Sequence, residues 1–324
     1  MIKKLLAVLL LVATGTACAT AGNGGGAPAD TVTLRIGDQK AGSRAVLEAA
    51  GLLEGTPYRI TWAQFTSGPP LLEAVHAGAV DIGGVGNTPP IFAAAAGSRI
   101  TVVAAFRQNP VGAAILVPDG SPITTPAQLK GKRVAVAKGS SAHYHLLAVL
   151  KQAGLSFADI QPQYLQPADA LAAFSSGTVD AWAIWEPFTS QARLEHKARV
   201  LTDGTAYVNG LNFQVASPAA LQDPAKEAAI RDFLERLAKA RTWAISHQSE
   251  WAKVWSAETG LPLRVTEAAA ANYVMRPIPI DGSVVSSEQE MADAFAAEGL
   301  IPRAIDFAEF VDDRFNDILG KGQQ

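Results

Sequence analysis

Cysteine is almost absent: Cys18 is the only one in 324 residues, which excludes an intramolecular disulfide and leaves no thiolate set for zinc. Histidine is nearly as scarce, and two of the five, His143 and His145, stand two positions apart. On a helix such a pair points to different sides, unlike the i, i+4 pair that grips zinc, so no metal is expected. No Gly-x-Ser-x-Gly elbow occurs and the sole thiol sits near the amino end, so the chain is not expected to be an enzyme or to carry a cofactor. Charge is sparse too. Charged residues make up 18% and the formal net charge is −3, so there is no basic field for a nucleic acid. A hydrophobic share of 48% excludes disorder as the state of the mature chain.

What the amino end does contain is ordered. Lys3 and Lys4 precede an apolar run from Leu5 to Ala13, then small residues from Thr14 to Ala17 and Cys18. A run of roughly nine apolar residues is far short of the ~20 that span a bilayer, so residues 1–17 read as an export signal. Gly15-Thr16-Ala17-Cys18 resembles the lipobox of bacterial lipoproteins, although Gly15 stands where leucine is commonest. Cys18 is accordingly expected to be lipidated, with the glycine-rich stretch to residue 30 as a tether.

From Thr31 onward, short β-branched runs alternate with helical patterns, the mark of an α/β chain with largely parallel sheets. Val32 to Ile36, Tyr58 to Phe65, Val80 to Val85, Ile100 to Phe106 and Ala113 to Val117 are expected strands. Pro118-Asp119-Gly120-Ser121-Pro122 breaks the periodicity and suggests a boundary. A second set follows, with strands at Arg133 to Ala137, Ile160 to Leu165, Val179 to Ile184, Arg199 to Thr202 and Phe213 to Ala216. After Ser217-Pro218 the chain turns helical, led by an amphipathic helix from Pro224 to His247.

Three loops share one design, an apolar strand entering a glycine-bearing turn that opens a helix: Gly37-Asp38-Gln39-Lys40, Gly86-Asn87-Thr88-Pro89 and Gly139-Ser140-Ser141-Ala142. The first N–H groups of a helix have no intrahelical partner and the dipole there is positive, so such turns can hold an anion. Gln39, Asn87, Thr88, Ser140 and Ser141 would add hydrogen bonds; alternatively they only cap their own helices. His143 either donates to the same anion or is a partly solvated histidine. Trp182 suits the core and Trp185 a cleft wall. Glu186 either meets a ligand or is a solvated loop carboxylate, and Arg107 is either a cleft cation or a surface charge.

Several segments in order carry a family resemblance: Leu34 to Gly42, Gly68 to Ala74, Asp81 to Phe92, Ala114 to Pro118, Leu129 to Val136, Lys138 to His143 and Val179 to Pro187. Through them the chain resembles the aliphatic sulfonate-binding proteins of ABC importers, relatives of taurine- and nitrate-binding proteins. The resemblance implies the two-lobed type II periplasmic-binding-protein fold, hinged on two crossovers and completed by the helical carboxy-terminal block. Lobe 1 would be 31–117 with 217–324, and lobe 2 would be 118–216. It further implies a pocket of Gln39, Gly86, Asn87, Thr88, Ser140, Ser141, His143 and Trp185, a small alkanesulfonate-like anion as ligand, an ABC permease as partner, a lipid-anchored monomer outside the cytoplasm, and no cofactor. Taurine, nitrate or a sulfate ester are alternative ligands, and an enzyme on the same fold is the rival class. Many relatives have aspartate where Asn87 and Glu186 stand; loss of a carboxylate at Asn87 would disfavour taurine against a neutral-tailed sulfonate.

Overall fold

The computed structural model describes residues 31–320, so the expected signal, the Cys18 anchor and the tether lie outside the described residues. Within them the strands are β1 (Thr33–Gln39), β2 (Arg59–Phe65), β3 (Ile82–Gly86), β4 (Thr101–Gln108), β5 (Ala114–Pro118), β6 (Arg133–Val136), β7 (Gln161–Tyr164), β8 (Ala181–Ile184), β9 (Ala198–Asp203), β10 (Leu211–Ala216) and β11 (Met275–Ile278). They form two sheets, ordered β11-β4-β10-β3-β1-β2 and β7-β6-β8-β5-β9.

Each sheet has a parallel half built on one plan. In the first, β1 lies parallel between β2 and β3; in the second, β6 lies parallel between β7 and β8. An antiparallel strand then follows, β10 beside β3 and β5 beside β8. The same side-chain clamp holds both halves. Asp81 Oδ2 accepts from the Arg35 backbone N–H at 2.9 Å and its Oδ1 from Arg35 Nη2 at 2.6 Å. Asp180 does the same for Arg133, at 2.8 and 2.9 Å. The two halves are therefore structural repeats.

Strand pairing corrects the lobe boundaries read at 118 and 217. Ala114–Pro118 pairs with β8 and β9, and Leu211–Ala216 pairs with β3 and β4, so the first belongs to the second sheet and the second to the first. The crossovers are 109–113 and 204–210. The Pro118–Pro122 cluster marks the end of a strand already inside the second lobe, because a turn signal identifies a chain reversal and not which sheet the strand joins. Among the elements not expected from the sequence are the helices Phe188–Glu195 and Pro218–Gln222 and the edge strand β11, whose Pro277 weakens any strand signal.

The helical block packs on the first sheet. Asp223 caps the helix Pro224–Ser246 by accepting from the Ala225 and Lys226 amides, and Ile230, Phe233, Leu234 and Leu237 form its buried stripe. Lys226 Nζ then joins Asp81 Oδ1 at 2.9 Å, so one buried carboxylate ties β1, β3 and the block together. Burial pushes Asp81 up, yet the hydrogen bonds from Arg35 and Lys226 leave it below the usual carboxylate range.

Glu288, on the helix Gly282–Ala297, lies wholly buried beside the second crossover. It accepts one hydrogen bond, from Asn209 Nδ2 at 2.8 Å, and its other oxygen has no partner among the described residues. Burial pushes its carboxyl up to about 8. Between the ordinary glutamate pKa of about 4.3 and that value, the folded chain keeps a proton that the unfolded chain releases. Stability therefore falls as pH rises through this window, by up to about 1.4 kcal/mol per pH unit. Glu288→Gln removes that slope: in urea titrations its stability relative to the native protein should improve steadily from pH 5 to pH 8, and a pH-independent difference would refute the account.

Candidate functional site

Both crossovers bring the carboxyl ends of the parallel strands toward one cleft of about 950 Å³ between the two sheets. The end of β1 contributes Asp38 and Gln39, the end of β3 Gly86, the start of the helix Ser141–Gln152 Ser140 and Ser141, and the segment after β8 Trp185 and Glu186. Carboxyl ends of strands are where open α/β sheets take ligands.

The three expected helix starts are not equivalent. Asp38, itself buried, accepts from the Ser43 and Arg44 amides at 2.8 Å each, so the helix Ser43–Ala49 is already occupied by the chain's own carboxylate. Burial pushes Asp38 up, while those amide hydrogen bonds pull it down. The helix Thr88–Ala95 has Pro89 and Pro90 in its first turn, which removes two amide donors. Only the helix Ser141–Gln152 retains its opening: Ser140 Oγ turns back to the Ala137 carbonyl at 2.7 Å, and the Ser141 amide bonds no described residue. Gln39 spends one N–H on the Gly84 carbonyl at 3.1 Å and still faces the cleft.

Three expected site residues lie elsewhere. Asn87 neither lines the cleft nor caps its helix; its Nδ2 donates to Asn209 Oδ1 at 2.8 Å, and it accepts from Thr88 Oγ1 at 3.1 Å. Thr88 is wholly buried against Met291. The turn after β3 thus faces the second crossover, and the argument against taurine from Asn87 falls with it. His143 is also wholly buried, ringed by Phe92, Phe157, Tyr164 and Phe295 at centroid distances of 4.9–5.6 Å. Its Nδ1 accepts from the Gly139 amide at 3.2 Å, and burial with the nearby Lys138 charge pushes it down to about 3. Wholly buried and not among the residues that line the cleft, the ring is not placed as the expected anion donor. Arg107 is exposed and outside the cleft.

Glu186 lines the cleft but is not solvated. It is 3% exposed and accepts from the Ser190 amide at 3.0 Å, Ser190 Oγ at 2.9 Å and Asn272 Nδ2 at 2.8 Å. Burial pushes its carboxyl up. Asn272 belongs to the helix Leu263–Asn272 of the carboxy-terminal block, so this bond joins the two lobes. At the cleft mouth Thr66 and Ser67 both donate to Gln166 Oε1, at 3.2 and 2.9 Å. Deeper in, a Cβ at Gly86 would stand 3.2 Å from the Ser141 Cβ, so glycine there permits the close approach of the lobes. Trp182 is buried against Phe174 and Phe188, while Trp185 is half-buried and lines the cleft.

The reading of loops missed Arg241. It is 6% exposed, lines the cleft and lies over the Tyr273 ring at 5.7 Å. It makes no hydrogen bond or ion pair with a described residue, and its electrostatic neighbour Asp38 is committed to amides. A buried cation is normally paired. Trp255, packed against the same Tyr273 ring, also lines the cleft, and its buried indole N–H has no acceptor among the described residues. The signal was present: Ile230, Leu234, Leu237 and Arg241 fall on one helical stripe, and a charge on an apolar stripe is the exception to explain. Among the described residues no group of His, Cys, Asp or Glu is arranged to hold a metal ion.

Residues 67–251 match the family described as NMT1/THI5 like. An aliphatic sulfonates-binding protein of Escherichia coli is 40% identical over 281 residues, covering 85% of this chain and 87% of that protein. A counterpart of the same description in Bacillus subtilis is 33% identical over 260 residues, covering 79% and 77%. The structure of the alkanesulfonate-binding protein SsuA of Xanthomonas axonopodis pv. citri, bound to MOPS, superposes with a TM-score of 0.81 at 39% identity, covering 88% of this chain and 99% of that one. By sequence and by fold, the chain belongs to the aliphatic sulfonate-binding family of periplasmic binding proteins.

Proposed function

We propose that this protein captures a small organosulfonate outside the cytoplasm and delivers it to an ABC permease. The observation that carries the reading is Arg241, a nearly buried guanidinium facing the cleft without a carboxylate of its own. A sulfonate supplies the missing charge and accepts the paired N–H groups of a guanidinium. The open start of the helix Ser141–Gln152 provides a second donor from the opposite lobe, Gln39 a further polar contact, and Trp185 an apolar wall. The relative bound to MOPS, itself a sulfonate, supports this ligand class. An anion touching both lobes favours the closed arrangement bridged at Gln166 and at Glu186–Asn272, and only such differential affinity can shift the lobes.

The same reading makes the protein a monomer held at the membrane by lipid on Cys18. The charged, apolar and small-residue sequence before that cysteine supports it. Cys18→Ser should move the protein from the membrane pellet to the soluble fraction; retention in the pellet would refute the anchor.

Calorimetric titration with butanesulfonate, taurine, nitrate and sulfate tests the ligand class. Sulfonates should bind and nitrate and sulfate should not; absence of binding by every sulfonate would overturn the assignment. Arg241→Met, which keeps an apolar stem against Tyr273, should weaken butanesulfonate by roughly 10- to 100-fold, the range of a lost charge-assisted hydrogen bond. An unchanged affinity would remove Arg241 from the site.

A further inference from the structure

The polar groups that would hold a sulfonate occupy a small part of the cleft. At about 950 Å³ the space stands at the upper end of the roughly 300–1,000 Å³ typical of pockets for drug-sized ligands. A one- to four-carbon sulfonate would leave most of it to water. Besides polar side chains, the remaining wall carries several aromatic rings. Phe65, at the end of β2, comes from the first lobe; Trp185 and Phe188, after β8, come from the second. Phe106 and Phe213 on neighbouring strands β4 and β10 add the floor.

Two of these rings differ from the rest. Phe65 and Trp185 are each half-buried, and neither makes a ring contact with any described aromatic residue. Phe188, in contrast, already packs edge-on against Trp182 at 6.0 Å. Unpaired rings presented by opposite lobes to one cavity are suited to a flat apolar guest, which gains offset or edge-on contacts in addition to area burial. A linear alkyl tail gains only the burial.

We infer that the cleft selects sulfonates carrying a planar aromatic tail over short linear ones, with Trp185 and Phe65 holding the ring from the two lobes. This inference rests on the proposed sulfonate reading and names the ligand class more narrowly. The head would stay with Arg241 and the Ser141 helix start, and the ring would lie against Trp185 and Phe65. Because the two walls belong to different lobes, the tail would contribute to closure as the head does.

Calorimetric titration of the full protein with methanesulfonate, hexanesulfonate, benzenesulfonate and 2-naphthalenesulfonate is the test. The arenesulfonates should bind at least about tenfold more tightly than methanesulfonate, and 2-naphthalenesulfonate at least as tightly as hexanesulfonate. Trp185→Ala should lower the ratio of arene to methane affinity by about tenfold, and Phe65→Ala, on the other lobe and at a strand end, should lower it in the same direction. Binding of hexanesulfonate with no measurable binding of either arenesulfonate would overturn the inference and leave the sulfonate reading standing. A ratio unchanged in both folded variants would also overturn it. No binding by any of the four would remove both.

Discussion

One carboxylate connects the sheet to the site. Asp81 sits at the start of β3, takes the backbone and guanidinium of Arg35 on β1, and receives Lys226 from the first turn of the long helix. A buried carboxylate without those partners would be costly, so the three elements are held in one arrangement. Fifteen residues beyond Lys226, about 22 Å along the helix at 1.5 Å per residue, the same helix delivers Arg241 to the cleft. The anchored end and the functional end of that helix are thus parts of one rigid rod.

The second lobe repeats the clamp with Arg133 and Asp180, but among the described residues Asp180 forms an ion pair with Arg133 alone, with no counterpart of Lys226. The repetition has a geometrical result. The helices that follow the central strands of the two sheets approach one cleft, and their neighbours Gly68–His76 and Pro167–Ser175 begin at Ser67 and Gln166, which bond each other across the mouth. The asymmetry is chemical: the first lobe fills its first helix start with Asp38 and brings a cation from the helical block, while the second leaves the Ser141 amide open. An anion between them would meet a full charge on one side and a helix dipole on the other.

Local signals served well where the chemistry was local. The parallel units and the placing of Gln39, Gly86, Ser140, Ser141, Trp185 and Glu186 around the cleft follow from patterns a few residues long, whereas the turn expected from Gly37 begins only after Gln39, because Gly37, Asp38 and Gln39 still pair with β2. They failed where an alternative partner lay far along the chain. Asn87 has the type and position of a cap or ligand residue, yet its amide is used by Asn209, 122 positions away. His143 stands at a helix start, but Phe92 and Phe295 close over it from the other lobe. Glu186 is held by Asn272, 86 positions away.

The order of residues along the chain was enough to establish the alternation of strands and helices, the family, and the turns from which a site could be made, because hydrophobic period and turn chemistry act over a few residues. Which sheet β5 and β10 join, which helix start stays open and which cation faces the cleft depended on packing between segments up to about two hundred residues apart. A side chain's hydrogen-bonding capacity is written in its type, but whether that capacity is still unspent is a property of its neighbours in space.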